Sequence, residues 1–193
     1  MIRVTSLLRW AGVTTPIPET QTTWTAMKRG SDVHEWSVKI ERDWFAVAQS
    51  GGDVILTMPH HLRGYGRAVV SFAQDYKPQW TAIESRIDDP AIDLTGCPDR
   101  VGIIDDAHVI VDYKTGGRYD WHRLQLALYA VLVERSQGWR DDFMADTIQK
   151  RLSVYLLPDG KYRLVSHSGR SDILEAWKLI TRYRKSQEVT HVS

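Results

Sequence analysis

The sequence predicts a mixed α/β fold in one domain spanning residues 1–193, and three observations support that prediction. The length suits one hydrophobic core and is too short for two large lobes. Helical and strand patterns follow one another as two helices, three strands, a helix, a hairpin and a last helix. The content of 25% charged and 10% aromatic residues is typical of globular chains and excludes wholesale disorder.

The helices are predicted from apolar residues that recur at spacings of three and four. The N-terminal segment predicts a short strand or turn that leads into a helix containing Leu7 and Leu8. A long helix begins near Thr23 and ends before Gly51-Gly52, and a further helix over 63–76 ends before Pro78. The two later helices are predicted over about 120–137 and about 170–185.

The strands are predicted from β-branched runs bounded by turn residues. The run at 108–114 has the strongest pattern, and the predicted strands are 80–87, 95–104, 108–114, 151–157 and 161–167. Asp105-Asp106 is predicted to form the turn between the second and third strands, and Pro158-Asp159-Gly160 the turn of the last hairpin.

Cysteine content and hydropathy exclude several classes of protein. A single cysteine, Cys97, cannot form a disulfide framework, a four-cysteine zinc site or a cysteine-ligated iron–sulfur cluster. No apolar run is long enough to cross a bilayer and nothing at Met1 resembles a signal peptide, which predicts a cytoplasmic protein without a membrane partner. The balance of 25 basic and 24 acidic residues neither requires nor excludes nucleic-acid binding.

A candidate reaction site lies in the central strands. Side chains two apart on a strand point to the same face, so Asp112 and Lys114 project together, and the turn at 105–106 brings Asp99 beside them. Carboxylates are ligands that suit Mg²⁺ or Mn²⁺. The lysine can orient or deprotonate a water, or stabilise charge that develops on a phosphate. The same residues also fit an exposed ion pair on a surface hairpin, although a charge ending an apolar run requires a partner.

Three residues on the predicted helices are further candidates. Gln125 and Tyr129 are four apart and share a helix face, either as a solvated glutamine and a core tyrosine or as two groups directed at the site. His34 lies on the long helix beside Val33, where a histidine commonly has a structural role. Val38 occupies the place of the second histidine of an H-E-x-x-H zinc motif, so that motif is absent.

Five short motifs occur in a fixed order along the chain. They are G-S-D-V-H at 30–34, Glu84 before the hairpin, G-C-P-D-R at 96–100, D-Y-K-T-G at 112–116 and Q-L-A-L-Y at 125–129. Together they are far more specific than any one of them. In this order the chain resembles the PD-(D/E)XK nuclease superfamily, and within it the RecB-like and phage exonuclease branch.

The resemblance implies a restriction-endonuclease-like fold, with a mixed central sheet flanked by helices and the site at one sheet edge. It also implies a divalent metal, Mg²⁺ or Mn²⁺, bound by His34, Asp99, Asp112 and the backbone carbonyl of Tyr113. Glu84 would bind the metal through a water or shape the site. Members of the branch that hold an iron–sulfur cluster need four cysteines, so no such cluster is expected here.

The resemblance also implies catalytic roles for three residues. Lys114 would act on the attacking water, and Gln125 and Tyr129 would support the active site and the DNA backbone. A metal-bound His34 must be neutral, which predicts that activity falls below its ordinary pKa of about 6.5.

The implied function is hydrolysis of phosphodiester bonds from DNA ends, in phage recombination or DNA processing. The alternative is a catalytically silent nuclease-fold module that binds DNA or a protein. A homo-oligomer or a recombination partner protein is compatible with either hypothesis. Candidate DNA-contacting residues, each of which also fits an ordinary surface arginine, are Arg29, Arg100, Arg118 and Arg123.

Overall fold

The structure, a computed structural model, describes residues 1–14, 18, 20–50, 57–136 and 148–190, with side chains described except at 43–50 and 189–190. The helices are α1 (Val4–Trp10), α2 (Gln21–Ser50), α3 (Arg63–Tyr76), α4 (His122–Arg135) and α5 (Arg170–Thr190). The strands are β1 (Ile2–Arg3), β2 (Gln79–Ile83), β3 (Ile87–Asp89), β4 (Leu94–Gly96), β5 (Arg100–Ile104), β6 (Ala107–Lys114), β7 (Lys150–Leu156) and β8 (Tyr162–Ser166). The predicted stop at Gly51-Gly52 lies outside the described residues.

The strands form two mixed sheets. One has the order β1-β4-β3 and the other has the order β2-β5-β6-β7-β8. Strands β1 and β4 run parallel, as do β6 and β7, while the other neighbours run antiparallel. Helices flank these sheets, so the predicted mixed α/β class is confirmed. No helix among the described residues combines the length and apolar character that a membrane crossing requires.

Strand β6 separates two hydrophobic clusters because its side chains alternate between its faces. Val109, Val111 and Tyr113 pack with residues of α2 and α3. Ile110 packs on the opposite side, with residues of α1, α4 and α5. Since the alternation continues to the end of the strand, the side chain of Lys114 reaches α4.

Two of the predicted strands differ from the observed ones. The segment predicted as one strand over 95–104 forms β4 and β5, which belong to different sheets. Pro98, which has no backbone N–H to donate to a ladder, lies in the break between them. The segment predicted over 80–87 ends as β2 at Ile83, because Glu84 has a left-handed backbone with φ of 47°.

Candidate active site

Three side chains from separate parts of the fold meet at the ends of β2 and β5. His34 extends from α2, Glu84 follows β2 and Asp99 precedes β5, and one ligand atom of each lies within 4.8 Å of the others. His34 Nδ1 is 3.3 Å from Glu84 Oε1 and 3.4 Å from Asp99 Oδ2. An imidazole and two carboxylates form a donor set that suits a divalent cation.

The ring of His34 is oriented by the backbone of β6. Its Nε2 lies 3.0 Å from the carbonyl oxygen of Tyr113. With hydrogen on both ring nitrogens, His34 donates from Nε2 to that carbonyl and from Nδ1 to the carboxylate of Glu84. A metal bound in place of the Nδ1 proton would keep the ring in this orientation through the Nε2 hydrogen bond. The Tyr113 carbonyl, which the resemblance implies as a metal ligand, is therefore a hydrogen-bond partner of His34 in this structure.

The charges of this cluster favour a cation. The Asp99 carboxylate raises the pKa of His34 to about 9, against the opposing effect of burial. Burial, and then the nearby charge of Asp112, raises the pKa of Asp99 above its ordinary value. The proton on His34 balances part of the negative charge of the carboxylates. A divalent cation bound there would take over this role and displace the proton. The three residues therefore fit a divalent metal.

Local backbone geometry places Glu84 and Asp99 side by side. The N–H of Glu84 donates to the carbonyl oxygen of Asp99 at 2.9 Å, although Glu84 adopts a left-handed conformation that favours glycine. Asp99 Oδ2 accepts a hydrogen bond of 2.7 Å from the N–H of Tyr113. The strained turn thus directs both carboxylates toward His34.

The lysine of the D-Y-K-T-G motif lies on the α4 side of β6. Its Nζ forms an ion pair with the buried carboxylate of Asp112 and donates to Gln125 Oε1 at 3.0 Å. Gln125 Nε2 donates in turn to Tyr129 Oη at 3.3 Å. The structure therefore brings these four predicted residues into one chain of contacts. Asp112 pairs with Lys114 in this chain, and its charge also raises the pKa values of His34 and Asp99 in the neighbouring cluster.

The structure places Arg100 in the protein interior, contrary to its prediction as a DNA contact. Its side chain is fully buried, and its Nε forms an ion pair with the buried carboxylate of Glu41. Its two terminal nitrogens donate 2.7 Å hydrogen bonds to the Asp99 carbonyl and to Ser37 Oγ. A guanidinium with this burial is inaccessible to a nucleic acid. Its contacts with Glu41 and Ser37 instead join α2 to the start of β5.

The other three arginines differ in their surroundings. Arg123 donates to Asp172 and Glu175 at 2.8 Å each and thereby joins α4 to α5, so its charge is already compensated. Arg29 is half-buried and its Nη2 lies 3.4 Å from the Thr115 carbonyl. Arg118 is exposed on the loop between β6 and α4. Of the four predicted DNA contacts, Arg118 remains the most accessible.

Sequence reasoning missed Glu41, the acidic partner of Arg100. Its Oε1 accepts hydrogen bonds from Tyr113 Oη at 2.7 Å and from Trp80 Nε1 at 2.9 Å. The signal in the sequence is its spacing of seven from His34, which places both on one face of α2. Glu41 therefore joins α2 to three strands of the site-bearing sheet, because its partners Trp80, Arg100 and Tyr113 lie on β2, β5 and β6.

Cys97 borders the site without the features of a nucleophile. Its Sγ lies 3.8 Å from Glu84 Oε2. Burial, together with the charges of Glu84 and Asp99, raises the pKa of the thiol to about 11. The thiolate form is therefore disfavoured at neutral pH.

Comparison with known proteins places these features in a family. Among solved structures, 15 chains match, including one described as "Crystal structure of SSO0001" with 16% identity, a TM-score of 0.34 and coverage of 92% of this chain and 83% of that chain. No curated protein matches. A family model described as the PD-(D/E)XK nuclease superfamily matches residues 16–175, which include every site residue described above. The chain belongs to the PD-(D/E)XK nuclease superfamily.

Proposed function

We propose that this protein is a divalent-metal-dependent DNA nuclease that acts as an exonuclease. One observation carries the proposal: Lys114 is held between Asp112 and Gln125, beside a His34, Glu84 and Asp99 cluster whose donors suit a divalent cation. Membership of a nuclease superfamily supports the reaction class and a DNA substrate. Mg²⁺ or Mn²⁺ is the proposed metal because the carboxylates are hard oxygen ligands.

The proposed chemistry is attack of water on a phosphodiester. When bound, a divalent cation supplies charge neutralisation and lowers the pKa of a bound water. Lys114 has three N–H donors, and among the described residues Asp112 and Gln125 take two of them. The third can donate to the attacking water or to a phosphate oxygen.

The bond network orients this donor. Gln125 lies in the buried part of α4, where its amide accepts a hydrogen bond from Lys114 and donates one to Tyr129. Both hydrogen bonds form only when Oε1 faces Lys114 and Nε2 faces Tyr129. Burial raises the pKa of Tyr129, which keeps its hydroxyl protonated and able to act as a hydrogen-bond partner. Gln125 and Tyr129 therefore position Lys114 in the proposed reaction.

The exonuclease assignment rests on the RecB-like order of the five motifs. A role in phage recombination or DNA processing, in the host cytoplasm if a phage encodes the chain, is part of the same proposal. A homo-oligomer or a recombination partner would bring DNA ends to the site.

The test is cleavage of end-labelled linear DNA and of closed circular DNA with Mg²⁺, Mn²⁺ or EDTA. Wild type is compared with Lys114→Ala and with Lys150→Ala, a matched control at the start of β7 whose ammonium lies 3.9 Å from Asp105. We expect metal-dependent loss of linear DNA alone, abolished in Lys114→Ala and retained in Lys150→Ala. Unchanged melting temperatures would show that both variants are folded.

Other results would change the conclusion in defined ways. Nicking of the circular DNA would retain the metal-dependent nuclease and replace the exonuclease by an endonuclease. Binding of DNA without cleavage under any metal would refute the catalytic roles and favour the silent binding module. Equal loss of activity in Lys150→Ala would show that the effect is not specific to the site.

A further inference from the structure

Two aromatic side chains form an accessible surface on the loop between β6 and α4. The rings of Tyr119 and Trp121 are stacked, with centroids 6.2 Å apart and an angle of 15° between their planes. Tyr119 is 57% exposed and Trp121 is half-buried. We refer to Tyr119 and Trp121 together as the aromatic step.

The aromatic step is anchored on its buried side. The Trp121 ring meets the edge of His122 with centroids 4.2 Å apart, and His122 Nδ1 is 2.7 Å from the hydroxyl of Tyr155. Burial lowers the pKa of His122 to about 4, so the ring packed against Trp121 is neutral at physiological pH. The step is therefore a fixed surface, and little ordering is required when a ligand binds.

The aromatic step is continuous with the proposed reaction site. Lys114 Nζ lies 5.7 Å from the centroid of the Trp121 ring, and the same ammonium pairs with Asp112. Arg118 is exposed on the same short loop, one residue before Tyr119. A flat apolar surface beside two cations complements a nucleotide, whose base is flat and apolar on its faces and whose phosphate is anionic.

We propose that the aromatic step stacks an unpaired base of a DNA strand whose phosphodiester lies at Lys114. The proposal rests on the proposed function and specifies its substrate as a DNA strand that is single-stranded at the site. A base inside a duplex is held by its pair and by stacking on both neighbours, whereas an unpaired base can leave the stack and offer a face to the ring without breaking a base pair. Stacking on an aromatic ring tolerates every base, so the step would bind without sequence preference.

The test compares binding of a fluorescent thymidine oligonucleotide with binding of an abasic oligonucleotide of equal length and charge, in EDTA to prevent cleavage. Stacking of one base corresponds to a preference of roughly tenfold for the base-bearing strand. We expect Tyr119→Ala to reduce this ratio toward one and Tyr119→Phe to retain it. Trp10→Ala is the matched control, because Trp10 is also an exposed aromatic residue beside an arginine, Arg182, but lies on α1.

A second readout separates stacking from catalysis. On single-stranded linear DNA with Mg²⁺ or Mn²⁺, Tyr119→Ala should raise KM with little change in kcat. Equal binding of the two oligonucleotides by wild type, or an unchanged ratio in Tyr119→Ala, would overturn the inference while the nuclease proposal could still stand. Base-dependent binding that Tyr119→Ala removes, in a protein that cuts no DNA, would support the inference and refute the nuclease proposal.

Discussion

Replacing Glu41 by glutamine tests whether the buried ion pair joins α2 to the sheet. Both members are almost inaccessible, with Glu41 3% and Arg100 0% exposed. Glutamine keeps the size of the side chain but removes the charge that compensates the buried guanidinium. Burial alone would lower the pKa of Arg100, and it is the Glu41 carboxylate that raises this pKa above its ordinary value. The variant therefore removes the buried counterion of Arg100 and leaves only the half-buried carboxylate of Glu84, whose Oε1 lies 3.5 Å from Nη1.

The expected loss in the free energy of unfolding follows from the burial of both partners. Removing one partner of a buried ion pair destabilises a protein by about 3–5 kcal/mol. For a chain of this length, each kcal/mol corresponds to about 2–4 °C in Tm, so the variant should lose roughly 6–20 °C. The control, Glu35→Gln on the same helix, breaks an exposed pair with Lys39 and should cost at most about 0.5 kcal/mol.

The assay is urea and thermal unfolding of wild type, Glu41→Gln, Arg100→Met and the double variant. Because the double variant removes both charges, its loss in unfolding free energy should be smaller than the sum of the two single losses. A loss below about 1 kcal/mol in Glu41→Gln, or additive losses in the double variant, would refute the buried-pair argument.

Three further predictions concern the metal cluster, the lysine network and the acid range. Asp99→Asn should weaken Mn²⁺ binding in calorimetry by roughly tenfold or more, because it removes a carboxylate from the cluster. The control Asp93→Asn, which removes a carboxylate that pairs with the N-terminal ammonium, should leave Mn²⁺ binding unchanged. Gln125→Leu should lower kcat by roughly tenfold or more while DNA binding is retained, since it removes the 3.0 Å bond to Lys114. Between pH 6.5 and 4, the free energy of unfolding measured in urea should fall by roughly 3 kcal/mol more in wild type than in His122→Phe. The reason is that the pKa of His122 is lowered to about 4 in the folded protein, so that the unfolded chain binds the proton at a higher pH. Equal slopes in the two proteins would contradict the last prediction.

Local periodicity predicted the parts of the site that lie on one element. The two-residue spacing on β6 predicted that Asp112 and Lys114 share a face, and their ion pair confirms it. The four-residue spacing on α4 predicted that Gln125 and Tyr129 share a face, and they form a hydrogen bond. Such contacts follow from backbone geometry alone, which the sequence pattern specifies.

Contacts between distant segments left no comparable signal. Arg100 follows Asp99 and is of a residue type that commonly contacts DNA. Its partner Glu41 lies 59 positions away on α2. No local pattern distinguishes a buried arginine from a surface one when the compensating carboxylate is remote in sequence. The left-handed backbone of Glu84 is likewise imposed by tertiary contacts, because glutamate has no intrinsic preference for it.

Tyr113 explains why the two halves of the site depend on each other. Its N–H donates to Asp99, its carbonyl contacts His34 and its hydroxyl donates to Glu41. Its neighbours on β6, Asp112 and Lys114, belong to the lysine network. A displacement of α2 that breaks the bond to Glu41 therefore acts on the same residue that aligns the donors of the cation site. The packing of α2 on the sheet and the orientation of the His34 and Asp99 donors therefore depend on each other. The buried ion pair between Glu41 and Arg100 contributes to both.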